Sequence, residues 1–147
     1  MYKRIMVTTD GSELSNKAVN TALELAKICG AEVFALKVVP RYPQSLFEGA
    51  ISVDTAEVQT VEKRWAADAE NILATVKKAA ADIGVATQTL LGKSDTVCDG
   101  ILSEAKKHDC DLIVMASHGR RGLQKLLLGS ETQHVLTQSS IPVLVVK

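Results

Sequence analysis

Gly119, Gly129 and Ser130 stand where a chain could hold phosphate. The apolar run Leu112–Met115 leads into the small turn Ala116-Ser117-His118-Gly119, and after nine intervening residues Gly129-Ser130 opens a helical pattern. Backbone N–H groups in the first turn of a helix have no partner within the helix, and the helix dipole adds partial positive charge there. A strand, a loop of little bulk and a glycine-led helix start are therefore the parts of an anion site. Gly129-Ser130 alone would also fit an ordinary helix cap, a common use of such a pair.

Other chemistries fit less well. The loop lacks the Gly-x-x-x-x-Gly-Lys-Ser/Thr pattern of a P-loop, and a Gly-x-Gly-x-x-Gly fingerprint is missing after the first strand, where only Gly11 stands. Thr8-Thr9-Asp10-Gly11-Ser12 resembles the flavodoxin phosphate loop, yet Asp10 would oppose a phosphate, and 3% aromatic residues leave little to sandwich a flavin. A phosphorylated receiver would want an acidic cluster there, and Asp10 stands alone. His118 has no second histidine at a helical ligand spacing, so a metal site is not expected. Phosphoryl transfer needs an oriented nucleophile and concentrated positive charge. The sequence does not assemble both, so any phosphoryl transfer is expected to be slow or incidental.

The surrounding elements follow from periodicity. Arg4 to Thr9 reads as a strand ended by Asp10-Gly11, and Ser12 can cap a helix to about Cys29 with Leu14, Ala18, Ala22, Leu25 and Ala26 on one face. Gly30 suits a helix C-cap, and Glu32 to Val39 forms the second strand. Residues 40–54 show no clear periodicity; Tyr42 and Phe47 make that stretch a lid, a partner surface or a plain surface insertion. From Thr55 to Ile83 the stripe Val58, Val61, Trp65, Ala69, Ile72, Val76, Ala79, Ile83 is helical, with Trp65 expected in the core. Val85 to Leu91 reads as a third strand. Ser94 or Asp95 can cap a helix to His108, with Val97, Ile101, Leu102 and Ala105 facing inward. Leu112 to Ala116 is the fourth strand, Ser130-Glu131-Thr132-Gln133 has the capping-box pattern, and Ile141 to Val146 closes as the fifth strand.

Strands alternating with helices predict an α/β fold. The expectation is a Rossmann-like, doubly wound sheet of five parallel strands with helices on both faces and strand order 3-2-1-4-5. At 147 residues, with no repeat or linker, the chain is expected to be a single domain over 1–147. Ligands of such sheets bind at the carboxyl ends of the strands, where strand order reverses. Asp10 and the Ala116–Gly119 turn would then face one crevice.

Seventeen basic and seventeen acidic residues cancel, so no electrostatic case exists for a nucleic-acid or membrane partner. No apolar run approaches the ~20 residues of a membrane helix. Cys29, Cys98 and Cys110 are widely spaced and odd in number, which suits reduced thiols in a cytosol better than disulfides or zinc. A cytoplasmic protein is expected.

The pattern Ala116-x-x-Gly119-x9-Gly129-Ser130, with Asp10 after strand one, resembles the universal stress protein family, whose nucleotide-binding members carry Gly-x-x-Gly-x9-Gly-Ser/Thr. The likeness extends over the whole chain. It includes Thr-Thr-Asp-Gly-Ser near the start, Lys-Val-Val at the end of strand two, Met-Ala-Ser-His-Gly, Leu-Leu-Leu-Gly-Ser and the Pro-Val-Leu-Val-Val ending. The resemblance implies ATP, with Mg²⁺, in the crevice. It places Thr8, Thr9 and Asp10 there, Asp10 near the ribose or adenine, and gives Val38 as an apolar wall for the adenine. Met115, Ala116, Ser117 and His118 would line the ribose and first phosphate, and Gly119 would admit the phosphate chain. Gly129, Ser130, Glu131 and Thr132 would supply N–H groups and hydroxyls to the outer phosphates, while Arg120 and Arg121 add charge or lie solvated.

One position departs from the pattern. Ala116 replaces the first glycine, which costs about 1 kcal/mol if that residue needs φ > 0 and almost nothing if φ is negative. The resemblance further implies a homodimer through Val143–Val146 and a role as a nucleotide-dependent regulator or sensor in stress survival, with a downstream protein partner. Two alternatives stand beside it: a nucleotide-free dimeric interaction module and a slow ATP hydrolase.

Overall fold

The computed structural model describes residues 1–41, 55–120 and 127–147. Tyr42, Phe47 and the rest of the aperiodic stretch from 42 to 54, together with Arg121, lie outside them. The apolar runs form five strands: β1 (Arg4–Thr8), β2 (Glu32–Pro40), β3 (Thr87–Ser94), β4 (Leu112–Ala116) and β5 (Val143–Val146). Four helices alternate with them: α1 (Glu13–Cys29), α2 (Thr55–Ile83), α3 (Val97–Lys107) and α4 (Ser130–Gln138). Every strand pair is parallel and the order is β3-β2-β1-β4-β5, the expected topology.

Both faces of the sheet are covered, which is why β1, β2 and β4 are near-continuous apolar runs. Ile5, Val7, Val33, Ala35, Leu112 and Val114 pack with α1 and α2. Met6, Phe34, Leu36, Val38, Ile113 and Met115 pack with α3 and α4 on the other face. α1 ends as its sequence requires: the Ser12 hydroxyl accepts the Ser15 N–H, and Gly30, at φ 67°, turns the chain out of the helix.

Several boundaries differ from the sequence expectation. β3 runs to Ser94 rather than Leu91, because β2 continues to Pro40 and the ladder extends to the Pro40–Ser94 pair. Ser94 is thereby held in the sheet, and Thr96 caps α3, accepting the Asp99 N–H at 3.1 Å while donating to the Asp99 carboxylate at 2.7 Å. That start sets the helix phase: Cys98 is buried and Val97 is exposed. α4 begins after Gly129, with no side-chain cap, so the expected Ser130–Gln133 capping box does not form. In α2 the buried residues are Ala69, Leu73, Val76 and Ala80, whereas Trp65 is half-buried. β5 begins at Val143, two residues after Ile141, and Pro142 contributes only its carbonyl, to Ile113 N–H at 3.0 Å.

Gly100 seats α3 on the sheet. A Cβ at that position would lie 2.8 Å from Val38 Cγ1 and 3.1 Å from Ser94 Cβ. In an open helix Gly→Ala gains about 1 kcal/mol, but overpacking a close contact costs about 1–3 kcal/mol. Gly100→Ala is therefore expected to lower the unfolding midpoint in denaturant titrations, and a stabilised variant would show that Val38 yields without cost.

Candidate functional site

β1 and β4 are neighbours at the centre of the sheet, where the strand order reverses. A crevice opens outside the carboxyl ends of two such strands. Thr8, Thr9 and Asp10 reach it from β1, and Ala116, Ser117, His118 and Gly119 from β4.

Asp10 joins the two ends. Its Oδ1 accepts the Ser12 N–H at 2.9 Å and its Oδ2 accepts the Arg120 N–H at 2.9 Å. Gly119 makes the second contact possible, since a Cβ there would lie 2.8 Å from Asp10 Oδ2. Burial alone would raise the pKa of Asp10, but the hydrogen bonds from Ser12, Arg120 and Ser15 outweigh it and hold the carboxyl below its ordinary value of 3.8. A carboxyl depressed in the folded state contributes stability above its unfolded pKa and loses it as pH falls through the folded value. Asp10→Asn should therefore lie below the wild type in stability by a constant gap above about pH 5, closing under more acidic conditions. Unfolding midpoints of both proteins between neutral and strongly acid pH measure this, and a gap that stays constant would contradict it.

The second clamp spans β4, β5 and α4. Ser117 N–H donates to Val146 C=O at 2.8 Å, Gly129 N–H donates to Ser117 C=O at 2.8 Å, and Thr132 Oγ1 donates to Ala116 C=O at 3.0 Å. The chain thus leaves the site at Gly119 and returns at Gly129 directly beside Ser117. A Cβ on Gly129 would meet His118 Cα at 3.2 Å and Ser117 O at 3.4 Å, backbone-near atoms with little freedom to move. Ala116 is not among the described residues with positive φ, so alanine carries no torsional cost there; its methyl packs with the α1 core.

The remaining candidates are distributed unevenly. Thr9 is buried, its hydroxyl in contact with Ser15 Oγ and accepting the Gly11 N–H. Ser117 is also buried and lies 3.1 Å from His118 Nδ1. Glu131 turns away to α3, where Oε2 accepts the Cys98 N–H at 3.1 Å. Val38 and Met115 are buried on the α3–α4 face, Thr8 is half-buried, and Ser130 and Arg120 are exposed. Gly129 at the N-cap offers no side-chain cap, so among the described residues no side chain caps the first-turn N–H groups of α4, which start beside Ser117.

Lys37, to which the sequence reading gave no role, lies within electrostatic reach of Asp10 and Arg120. The rest of β2 from Val33 to Val39 is buried, and a lone lysine in such a run was the available signal. Burial lowers its pKa, Asp10 draws it back up and Arg120 lowers it again. Cys98 and Cys110 are buried and poor nucleophiles: burial and then Asp99 push Cys98 up, and burial and then Asp111 push Cys110 up to about 11. A cavity of about 330 Å³ lined by Leu102, Ala105, Cys110, Ser139 and Ile141 lies at the amino ends of β4 and β5, away from the crevice. No helix among the described residues is long and apolar enough to cross a membrane.

Comparison with known proteins agrees over the full length. The model of the universal stress protein family matches residues 1–147. Universal stress protein MJ0531 of Methanocaldococcus jannaschii is 35% identical over 147 residues, covering 100% of this chain and 83% of the relative. The solved structure of MJ0577, from the same organism, superposes with a TM-score of 0.84 at 28% identity over 100% of this chain and 96% of that one. A universal stress protein solved in complex with cAMP superposes with a TM-score of 0.72 at 25% identity, covering 99% and 97% of the two chains. The chain belongs to the universal stress protein family.

Proposed function

We propose that this protein binds ATP, with Mg²⁺, in the crevice between β1 and β4, and acts in the cytoplasm as a nucleotide-dependent regulator of stress survival. The start of α4, which no side chain caps among the described residues, carries this reading: its first-turn N–H groups stand near the point where strand order reverses, beside a glycine whose Cβ would press on His118 Cα at 3.2 Å. The related protein solved with cAMP supports an adenine nucleotide as the ligand class. Ser130 is the exposed hydroxyl at the helix start and would meet the outer phosphates and the magnesium. Glu131 and Thr132 already direct side-chain oxygens to Cys98 N–H and Ala116 C=O, so their share would come from backbone N–H groups. Asp10 retains lone pairs for a ribose or adenine donor beyond the two N–H groups it accepts.

β5 lies at one edge of the sheet, and a second copy pairing along Val143–Val146 would cover it. The bond from Ser117 N–H to Val146 C=O ties that edge to the crevice, so nucleotide and dimer would be coupled through it. The contact between Asp10 and Arg120 N–H favours a second reading, a nucleotide-free interaction module, because it already satisfies one donor of the loop. Nucleotide content separates the two. Protein purified without chelator or added nucleotide, then denatured and chromatographed, is expected to release ATP. A preparation that carries no nucleotide and takes none up from millimolar ATP would favour the second reading.

A further inference from the structure

Lys37 stands on the α1–α2 face of β2: it alternates with Val33 and Ala35, which pack in that core, and not with Phe34, Leu36 and Val38. Its neighbour Leu36 accepts the Thr9 N–H at 3.0 Å, which sets Lys37 at the carboxyl edge beside the Thr9–Asp10 turn. The Arg120 side chain reaches the same place, since a Cβ on Gly11 would lie 3.1 Å from Arg120 Nη2 and 3.0 Å from Ile72 Cδ1 of α2. Two cations, Lys37 and Arg120, thus lie in the neighbourhood of the Thr9–Asp10 turn, with Asp10 as the carboxylate that acts on Lys37. Both Asp10 oxygens accept backbone N–H groups, and no ion pair to Lys37 exists among the described residues. A lysine in an otherwise buried strand costs stability unless its charge is paired.

We propose that Lys37 is a nucleotide-binding residue whose ammonium pairs with the phosphate chain from the α1–α2 side of the sheet, opposite the N–H groups of α4. A phosphorylated ligand would then supply a counter-ion for the surplus positive charge beside Asp10, which has no ion pair among the described residues. Lys37 thereby discriminates phosphorylated nucleotides from nucleosides. This rests on the nucleotide reading above.

The test is calorimetric titration of wild type, Lys37→Met and Lys37→Arg with ATP and with adenosine. Methionine matches the lysine stem and suits the buried strand; circular dichroism confirms the fold, and Lys37→Gln serves if the methionine variant does not fold. The expected result is a loss of about tenfold or more in ATP affinity for Lys37→Met, in line with removal of one charge-assisted contact. Adenosine affinity stays unchanged, and Lys37→Arg recovers most of the ATP affinity. Equal losses for ATP and adenosine, or an unchanged ATP affinity, would overturn the role of Lys37 while leaving the nucleotide site standing. Wild type that binds neither ligand would overturn both.

Discussion

Gly119→Val is expected to weaken ATP binding by about 100-fold, roughly 2.8 kcal/mol. The reason is steric and not torsional, since Gly119 is not among the described residues with positive φ. Its Cβ would fall 2.8 Å from Asp10 Oδ2, and the valine methyls would add bulk at the mouth of the crevice. Asp10 would have to swing away and surrender the Arg120 N–H at 2.9 Å. Hydrogen bonds to a charged group contribute about 1.5–3 kcal/mol, so the apo protein is expected to lose about that much stability as well. Gly119→Ala should fall between the two, because it brings the clash without the extra methyls. Titration calorimetry and denaturant unfolding on the pair measure both effects, and an affinity equal to wild type in the valine variant would show that ligand does not approach Gly119.

Thr132→Val is expected to destabilise the fold by about 1–3 kcal/mol, the cost of leaving a buried carbonyl unpaired. The substitution keeps the shape of the side chain, which is 2% exposed, and removes only the hydroxyl that donates to Ala116 C=O at 3.0 Å. That bond fixes the first turn of α4 against the end of β4. Without it the N–H groups of α4 lose their registration with the crevice, so ATP affinity should fall by about tenfold together with stability. Unfolding curves and ATP titrations of the variant, compared with Thr137→Val, provide the control: the Thr137 hydroxyl donates within α4 to Gln133 C=O on an exposed face. A Thr132 variant no less stable than the Thr137 one would show that the clamp is unimportant.

The topology was legible because β1, β2 and β4 are short apolar runs between helical stripes, and parallel strands joined by helices admit few arrangements. Asp10 and the Ala116–Gly119 turn were placed at one crevice by that topology, and the Asp10–Arg120 bond joins them. What escaped depended on tertiary pairing. The end of β3 is set by where β2 stops, at Pro40, and this displaced the cap of α3 from Ser94 or Asp95 to Thr96. Ser130 satisfies a capping-box pattern, yet Gly129 takes the cap position because its N–H is held by Ser117 C=O. Glu131 and Thr132 have ligand-type side chains, and no local pattern reveals that they brace α3 and β4. Lys37 was hidden in the opposite way: hydrophobic periodicity reads it as a tolerated interruption, and only the fold places it beside Asp10 and Arg120.

The central claim is that the crevice is a nucleotide site, and calorimetric titration of the purified protein with ATP and Mg²⁺ tests it most directly. Saturable binding of one ATP per chain, lost in Gly119→Val, is the expected result. Absence of saturable binding in nucleotide-free wild type would contradict the claim, and the edge of β5 would then be where the function of this chain resides.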